Sequence, residues 1–197
     1  MSARQLKLYL QKWSYYERNG RPWRRLRLRL HFMRREAYLR FPVQGNLLEA
    51  LDEGRARIGP SVLIEPGCWF TLPGAAELDV GEGTFINIGC MIAVSGNVSI
   101  GKHCMFANHC FVTDADHRFD DPELPITWQG FTSKGPVTIG DNCWFGTNCV
   151  VTSGVTIGER TVVGANSVVT RDLPAGVIAA GAPAKVIKAI EFEKPAG

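Results

Sequence analysis

"VTIGDNCWFGTNCVVTSGVTIGERTVVG" spans residues 137–164. An apolar side chain stands at every sixth position: Ile139, Phe145, Val151, Ile157 and Val163. Glycine follows four of these five, and a small residue or cysteine sits four places after each: Cys143, Cys149, Val155, Thr161 and Ser167. A period of six matches neither the two-residue alternation of a strand nor the 3.6-residue turn of a helix. It suits a short strand followed by a corner, repeated, which is a solenoid. The apolar residue is expected to point inward and the small residue to fill a narrow interior. Glycine at the bend is expected to supply backbone angles that other residues resist.

Working outward, the rhythm extends in both directions. Ile58, Ile64, Phe70, Val80, Ile86, Ile92, Ile100, Phe106 and Val112 precede the quoted stretch, and Val169 follows it. Between Val112 and Val137 the beat stops. The segment "VTDADHRFDDPELPITWQGFTSKGPV" contains five acids, His117, Trp128 and Phe131. It reads as a loop inserted at 113–136, projecting from a rigid scaffold as binding loops often do. All six cysteines (68, 90, 104, 110, 143 and 149) fall in the small-residue slot. They therefore read as reduced core residues, since a buried cysteine behaves as a small hydrophobe and the spacing fits neither a CxxC motif nor a zinc knuckle.

The flanks differ in character. Residues 1–40 hold twelve Lys or Arg against Glu17 and Glu36, a balance of +10, so the rest of the +3 chain carries −7. Such a basic arm fits either a solvated, partly helical segment that packs on its own protein or a contact with a membrane or another anionic surface. No nucleic-acid motif accompanies it, and no nucleic-acid partner is expected. "RLRLRLHF" alternates like a strand, while Trp23, Leu26, Leu30 and Met33 also make a helical stripe. That conflict stays open, and a helix is expected over 3–17. No apolar run approaches the about 18 residues of a membrane span, and arginines interrupt any signal-like stretch. The expected location is the cytoplasm, including its membrane face.

The segment from about Gly83 to Ile190 resembles the hexapeptide-repeat acetyltransferases, in particular the galactoside and maltose O-acetyltransferase branch. The motifs that carry the resemblance are "FIN" at 85–87, "TDADH" at 113–117, "IGDNCWFG" at 139–146, "VVGANSVVTRDLP" at 162–174 and "AAGAPAKVIK" at 179–188. The resemblance implies an all-β solenoid, a left-handed parallel β-helix with three hexapeptides per coil. About five coils are expected over 58–173, with Ile64, Ile86, Phe106, Phe145 and Val163 stacked in one column. A basic, partly helical arm or cap would occupy 1–57. Residues 174–197 would form a C-terminal cap with a short helix near 183–191.

The resemblance also implies a chemistry: an acetyl-CoA-dependent O-acetyltransferase acting on the hydroxyl of a sugar or sugar-containing precursor. His117 would be the general base, a task that suits imidazole because its ordinary pKa lies near neutrality. Asn87, Asp116 and Trp128 would contact the acceptor. Trp144, Gly146, Thr147, Ala165 and Thr170 would face the cofactor, with a backbone N–H near Gly146 and Thr147 receiving the oxyanion. Lys185 and Lys188, three apart, would meet the 3′-phosphate from one side of the short helix. Active sites would lie between the subunits of a homotrimer. Related sugar acetyltransferases place an aspartate on the loop after Ile92, where this chain has Ser95 and Asn97. Two other classes compete: a non-catalytic trimeric scaffold that binds a polyanion, and a zinc-dependent carbonic-anhydrase-like enzyme using His103 and His109. No metal is expected.

Overall fold

A computed structural model describes residues 21–192. Its core is a triangular solenoid of short parallel strands. Face I stacks Tyr38–Leu39, Leu63–Ile64, Phe85–Ile86, Met105–Phe106, Trp144–Phe145, Val162–Val163 and Val177–Gly181. Face II stacks Gln44–Gly45, Trp69–Thr71, Met91–Ala93, Phe111–Thr113, Val150–Val151 and Val168–Val169. Face III stacks Ala56–Ile58, Glu77–Val80, Asn97–Ile100, Val137–Ile139 and Thr156–Ile157. Ile64, Ile86, Phe106, Phe145 and Val163 are in direct register, as expected. The two phenylalanine rings lie parallel with centroids 4.6 Å apart.

About six turns are present rather than five. The additional turn is built from residues 38–58, whose strands pair parallel with those of the next coil. Its inward slot on face II is Gly45, not an apolar residue, so the six-residue count does not reach it. A Cβ at Gly45 would lie 1.8 Å from the carbonyl oxygen of Phe70. Helix α1, Pro22–Met33, precedes this turn, and the short helix α2, Leu47–Asp52, replaces one of its corners.

The helical reading of "RLRLRLHF" prevails, but its visible stripe faces outward. Leu28 and Phe32 are buried against the solenoid, with Arg24 on the same side in an ion pair with Glu49. An arginine in the inward stripe hides the inward face from a hydropathy pattern. The helix expected over 3–17 lies outside the described residues.

The short helix near 183–191 is not formed. Ala184–Ala189 is a strand, antiparallel to Val177–Gly181. It covers the last edge of face I, which would otherwise present unpaired backbone groups.

The corners also correct the expected role of glycine. The glycines that follow the apolar residues are needed for close approach. A Cβ at Gly140 would come within 2.6 Å of the Glu159 nitrogen, and one at Gly146 within 2.5 Å of the Ala165 nitrogen. The left-handed backbone falls two residues later, at His103, His109, Asn142, Asn148 and Asn166 among others, with φ between 53° and 60°. Asparagine and histidine tolerate that region better than most residues.

The small slot is more than filler. Cys68, Cys90, Cys110 and Cys149 donate S–H to the carbonyls of Asn87, Ala107, Gly146 and Gly164 on the next coil. Cys104 and Cys143 do the same to Gly140 and Gly158 in a second column. Thr84 and Thr161 occupy that second column and donate to Gly101 and Pro174. All six cysteines are free and buried.

Burial pushes the Cys68 thiol from 9.0 up to about 11. A thiol held neutral in the fold favours the unfolded chain once the solution pH exceeds the unfolded value. Stability should therefore fall as pH rises from about 9 toward about 11. At neutral pH the folded protein should give almost no reaction with a thiol-specific chromogenic disulfide, and six thiols should appear on denaturation. Kinetic thiol titration with and without denaturant reads both states.

Candidate active site

The inserted loop leaves the corner between faces II and III and folds back as a hairpin. Asp116–His117 pairs antiparallel with Phe131–Thr132, placing His117 opposite Phe131. Their rings are 4.5 Å apart and tilted by 39°. His117 is exposed at the surface of the hairpin. None of the loop acids hydrogen-bonds its ring among the described residues.

Those acids instead fasten the hairpin. Asp114 is 1% exposed, and its carboxylate accepts the backbone N–H groups of Ser95, Gly96 and Asn97 at 2.6–2.7 Å. Ser133 on the returning strand donates its hydroxyl to the Asp114 carbonyl. Asp116 accepts the hydroxyl of the buried Ser153, one coil further on, at 2.6 Å, with the Lys134 ammonium 3.9 Å away. Asp120 pairs with Arg118, and Asp121 caps the backbone N–H of Glu123. Sequence reading missed Asp114, Ser133 and Ser153. A carboxylate inside an acidic loop carries no mark that distinguishes a buried anchor from a solvated neighbour.

Trp128 stands at the hairpin tip, exposed along with Phe119, Leu124, Ile126 and Phe131. Asp116 is therefore tied into the hairpin base, while Trp128 is presented outward.

A second group gathers at the corner between faces I and II. Trp144 projects outward from face I and is half exposed. Gly146 and Ala165 stack directly on successive coils. The Gly146 N–H is consumed by the Val163 carbonyl at 2.8 Å, so it is not available to an oxyanion. The adjacent Thr147 N–H makes no backbone bond among the described residues, and Thr147 is exposed. Asn87 lies at the same corner, with its Oδ1 accepting the N–H of Ile88 at 2.8 Å. Thr170 belongs to the other corner, in the column of Thr113 and Thr152 at the base of the hairpin. His103 and His109 are corner residues whose rings lie over Gly83 and Gly89. They leave different corners, and no group of three or more metal-ligating side chains occurs among the described residues.

Lys185 and Lys188 sit on the antiparallel strand that closes face I. Residues three apart in a regular strand point to opposite sides. Here the register shifts by one residue, so Lys185 opposes Ala180 and Lys188 opposes Ile178. Ala180 and Ile178 share the outward side, and both lysines join them there. The bulge does what a helix was expected to do. Together the outward indole, the unengaged Thr147 N–H and the paired lysines fit a long, thin, anionic ligand.

A model described as "Hexapeptide repeat of succinyl-transferase" matches residues 136–171. An Escherichia coli K12 protein, WcaF, provisionally assigned as a colanic acid biosynthesis acetyltransferase, is 33% identical over 133 residues, covering 68% of this chain and 69% of that protein. The chain belongs to the hexapeptide-repeat acetyltransferases. The galactoside O-acetyltransferase of Escherichia coli K12, another family member, is 32% identical over 140 residues, covering 71% of this chain and 66% of its own length. A longer Mycobacterium tuberculosis protein, provisionally assigned as an acetyltransferase, is matched over 30% of its length. Among solved family structures, a Vibrio cholerae hexapeptide-repeat acetyltransferase complexed with acetyl-CoA superposes with a TM-score of 0.61. It is 27% identical, covering 74% of this chain and 77% of that one.

Replacing Asp114 by asparagine turns one of its acceptor oxygens into a donor facing backbone N–H groups. Asp114→Asn should cost about 2–3 kcal/mol of stability and lower the urea midpoint accordingly. An unchanged midpoint would remove Asp114 from its anchoring role.

Proposed function

We propose that this protein is an acetyl-CoA-dependent O-acetyltransferase acting on a hydroxyl of a sugar or sugar-containing molecule, with His117 as the general base. The observation that carries the reading is the fastening of the His117 hairpin to the solenoid through Asp114 and Asp116. A base held on a rigid frame keeps its geometry without spending binding energy on ordering itself. The names of the relatives, acetyltransferases of galactosides and of colanic acid biosynthesis, favour a saccharide acceptor.

In this reading His117 takes the proton of the acceptor hydroxyl as that oxygen attacks the thioester carbonyl carbon. The Thr147 N–H, from a neighbouring copy of the chain, receives the resulting oxyanion. The C–S bond then breaks, and His117 returns its proton to the departing sulfur. An acetyl ester and free coenzyme A result, and the histidine is restored. Lys185 and Lys188 hold the 3′-phosphate, and Trp144 lies against the cofactor.

Placement of the groups favours a site shared between chains. His117 and Thr170 leave one corner, while Asn87, Trp144, Gly146, Thr147 and Ala165 occupy another, with the whole of face II between them. The outward side of face II is apolar, carrying Trp69, Met91, Phe111, Val150 and Val168, whereas that of face III carries Arg57, Asp79, Ser99, Thr138 and Thr156. Apolar outward columns of this extent fit burial against further copies of the chain, as in a homotrimer. The exposed Trp128 and Phe131 would then meet a neighbouring copy at the acceptor pocket.

His117→Ala should lower kcat by about two to four orders of magnitude while circular dichroism and the melting temperature stay unchanged. Measuring coenzyme A release against a panel of saccharide acceptors checks this, and an unaltered rate would overturn the assignment. Lys185→Ala combined with Lys188→Ala should raise the KM for acetyl-CoA about tenfold or more and leave kcat nearly unchanged. The same increase with 3′-dephospho-acetyl-CoA as donor would argue against a phosphate role.

A further inference from the structure

Helix α1 is amphipathic twice over. Its buried side runs through Arg24, Leu28 and Phe32. At about 100° per residue, Trp23, Leu26, Leu30 and Met33 fall on the opposite side, away from the solenoid. They are 49%, 58%, 40% and 68% exposed. Arg27 and Arg34 border this stripe on one flank, and Arg25 and Arg29 on the other. Residues 21–35 contain seven arginines and no acid, and α2 supplies Glu49 and Asp52 as partners to Arg24 and Arg27. On the Arg27 side a shallow cavity of about 300 Å³ is lined by Arg27, Leu30, His31, Arg34 and Asp52. Asp52 accepts hydrogen bonds from Arg27 and His31 at 2.7 and 2.8 Å, which holds those two side chains beside the opening.

We propose that this outward face of α1 docks the protein on an anionic phospholipid surface, with the apolar stripe in the headgroup–acyl boundary and the arginines on lipid phosphates. Charge complementarity selects the partner class, and the stripe selects lipid within it. A rigid polyanion would meet arginines only at the margins of the surface and leave its apolar centre unmatched. A bilayer takes both parts, because long cationic side chains reach up to the headgroups while the apolar residues between them sink. No helix among the described residues is long and apolar enough to cross a membrane, so attachment by this helix is to the surface. The inference is independent of the acetyltransferase reading, since none of these residues belongs to the candidate site.

Co-sedimentation of the full-length protein with phosphatidylcholine vesicles, with and without phosphatidylglycerol, tests the proposal. Binding should require the anionic lipid and weaken with salt. Arg27→Gln and Arg34→Gln should each weaken it about fivefold. Leu26→Ser combined with Met33→Ser should abolish it without lowering the melting temperature, because both side chains are already exposed. Equal binding to neutral vesicles, or none to either, overturns the proposal. Loss with the arginine variants but not with the serine variants would mark a purely electrostatic surface, and the lipid assignment would fall. A serine variant that changes the oligomeric state and leaves vesicle binding intact would assign the stripe to contact between copies, which also overturns it.

Discussion

Everything in this molecule hangs on how closely one coil lies on the next. The N–H of the residue after each inward apolar side chain donates to the carbonyl of the equivalent apolar residue one coil on. Gly81 donates to Ile100, Gly101 to Ile139, Gly140 to Ile157 and Gly146 to Val163, each at 2.8 Å. Adjacent strands in a sheet are separated by about 4.8 Å, and at the corners the backbones approach closely enough that a methyl group would collide. The same spacing brings the small-slot side chains within reach of the next coil's corner carbonyls. Cysteine and threonine interchange in one column because both supply a donor of the right length. A carbonyl left buried without a partner costs about 1–3 kcal/mol, so in these two columns a small donor is favoured over a merely small residue, with Val62 the exception.

This constraint explains what sequence could and could not reveal. A six-residue beat is the direct imprint of the ladder, and it identified the inward column from Ile64 to Val163 and the loop that interrupts it. Where another force governs a position, the beat is silent. Gly45 breaks it because the chain touches Phe70 there. Arg24 breaks the helical stripe of α1 because Glu49 neutralises it. Ala184–Ala189 was expected in a short helix, yet an uncovered strand edge nearby offered its backbone a better partner. In the candidate site, His117 and Trp144 were picked out by the resemblance, through the motifs "TDADH" and "IGDNCWFG". Asp114, Ser133 and Ser153 were not, since only the folded hairpin shows that they fasten it. The glycines directly after the apolar residues serve close approach instead of backbone angle, and left-handed backbone falls two residues later, on Gly67, Gly83, Gly89 and Gly154 as well as on asparagine and histidine.

The ladder also accounts for where an inserted loop can be tolerated. Val137 pairs with Val98 on face III as though nothing intervened, although the chain has travelled through the whole hairpin since Thr113. Closing a longer loop costs free energy only as the logarithm of its length, about 0.6 kcal/mol per doubling. An insertion at a corner leaves every ladder bond above and below intact, whereas one inside a strand would shift the apolar column off the axis. Corners are also where backbone donors escape the ladder. Within the faces the ladder commits N–H groups to one neighbouring coil or the other, as that of Gly146 is to Val163, but Thr147, one residue further on, has turned away. A solenoid of this kind therefore has room for chemistry at its corners, where length is inexpensive and donors are available, and leaves its faces to hold the corners in register.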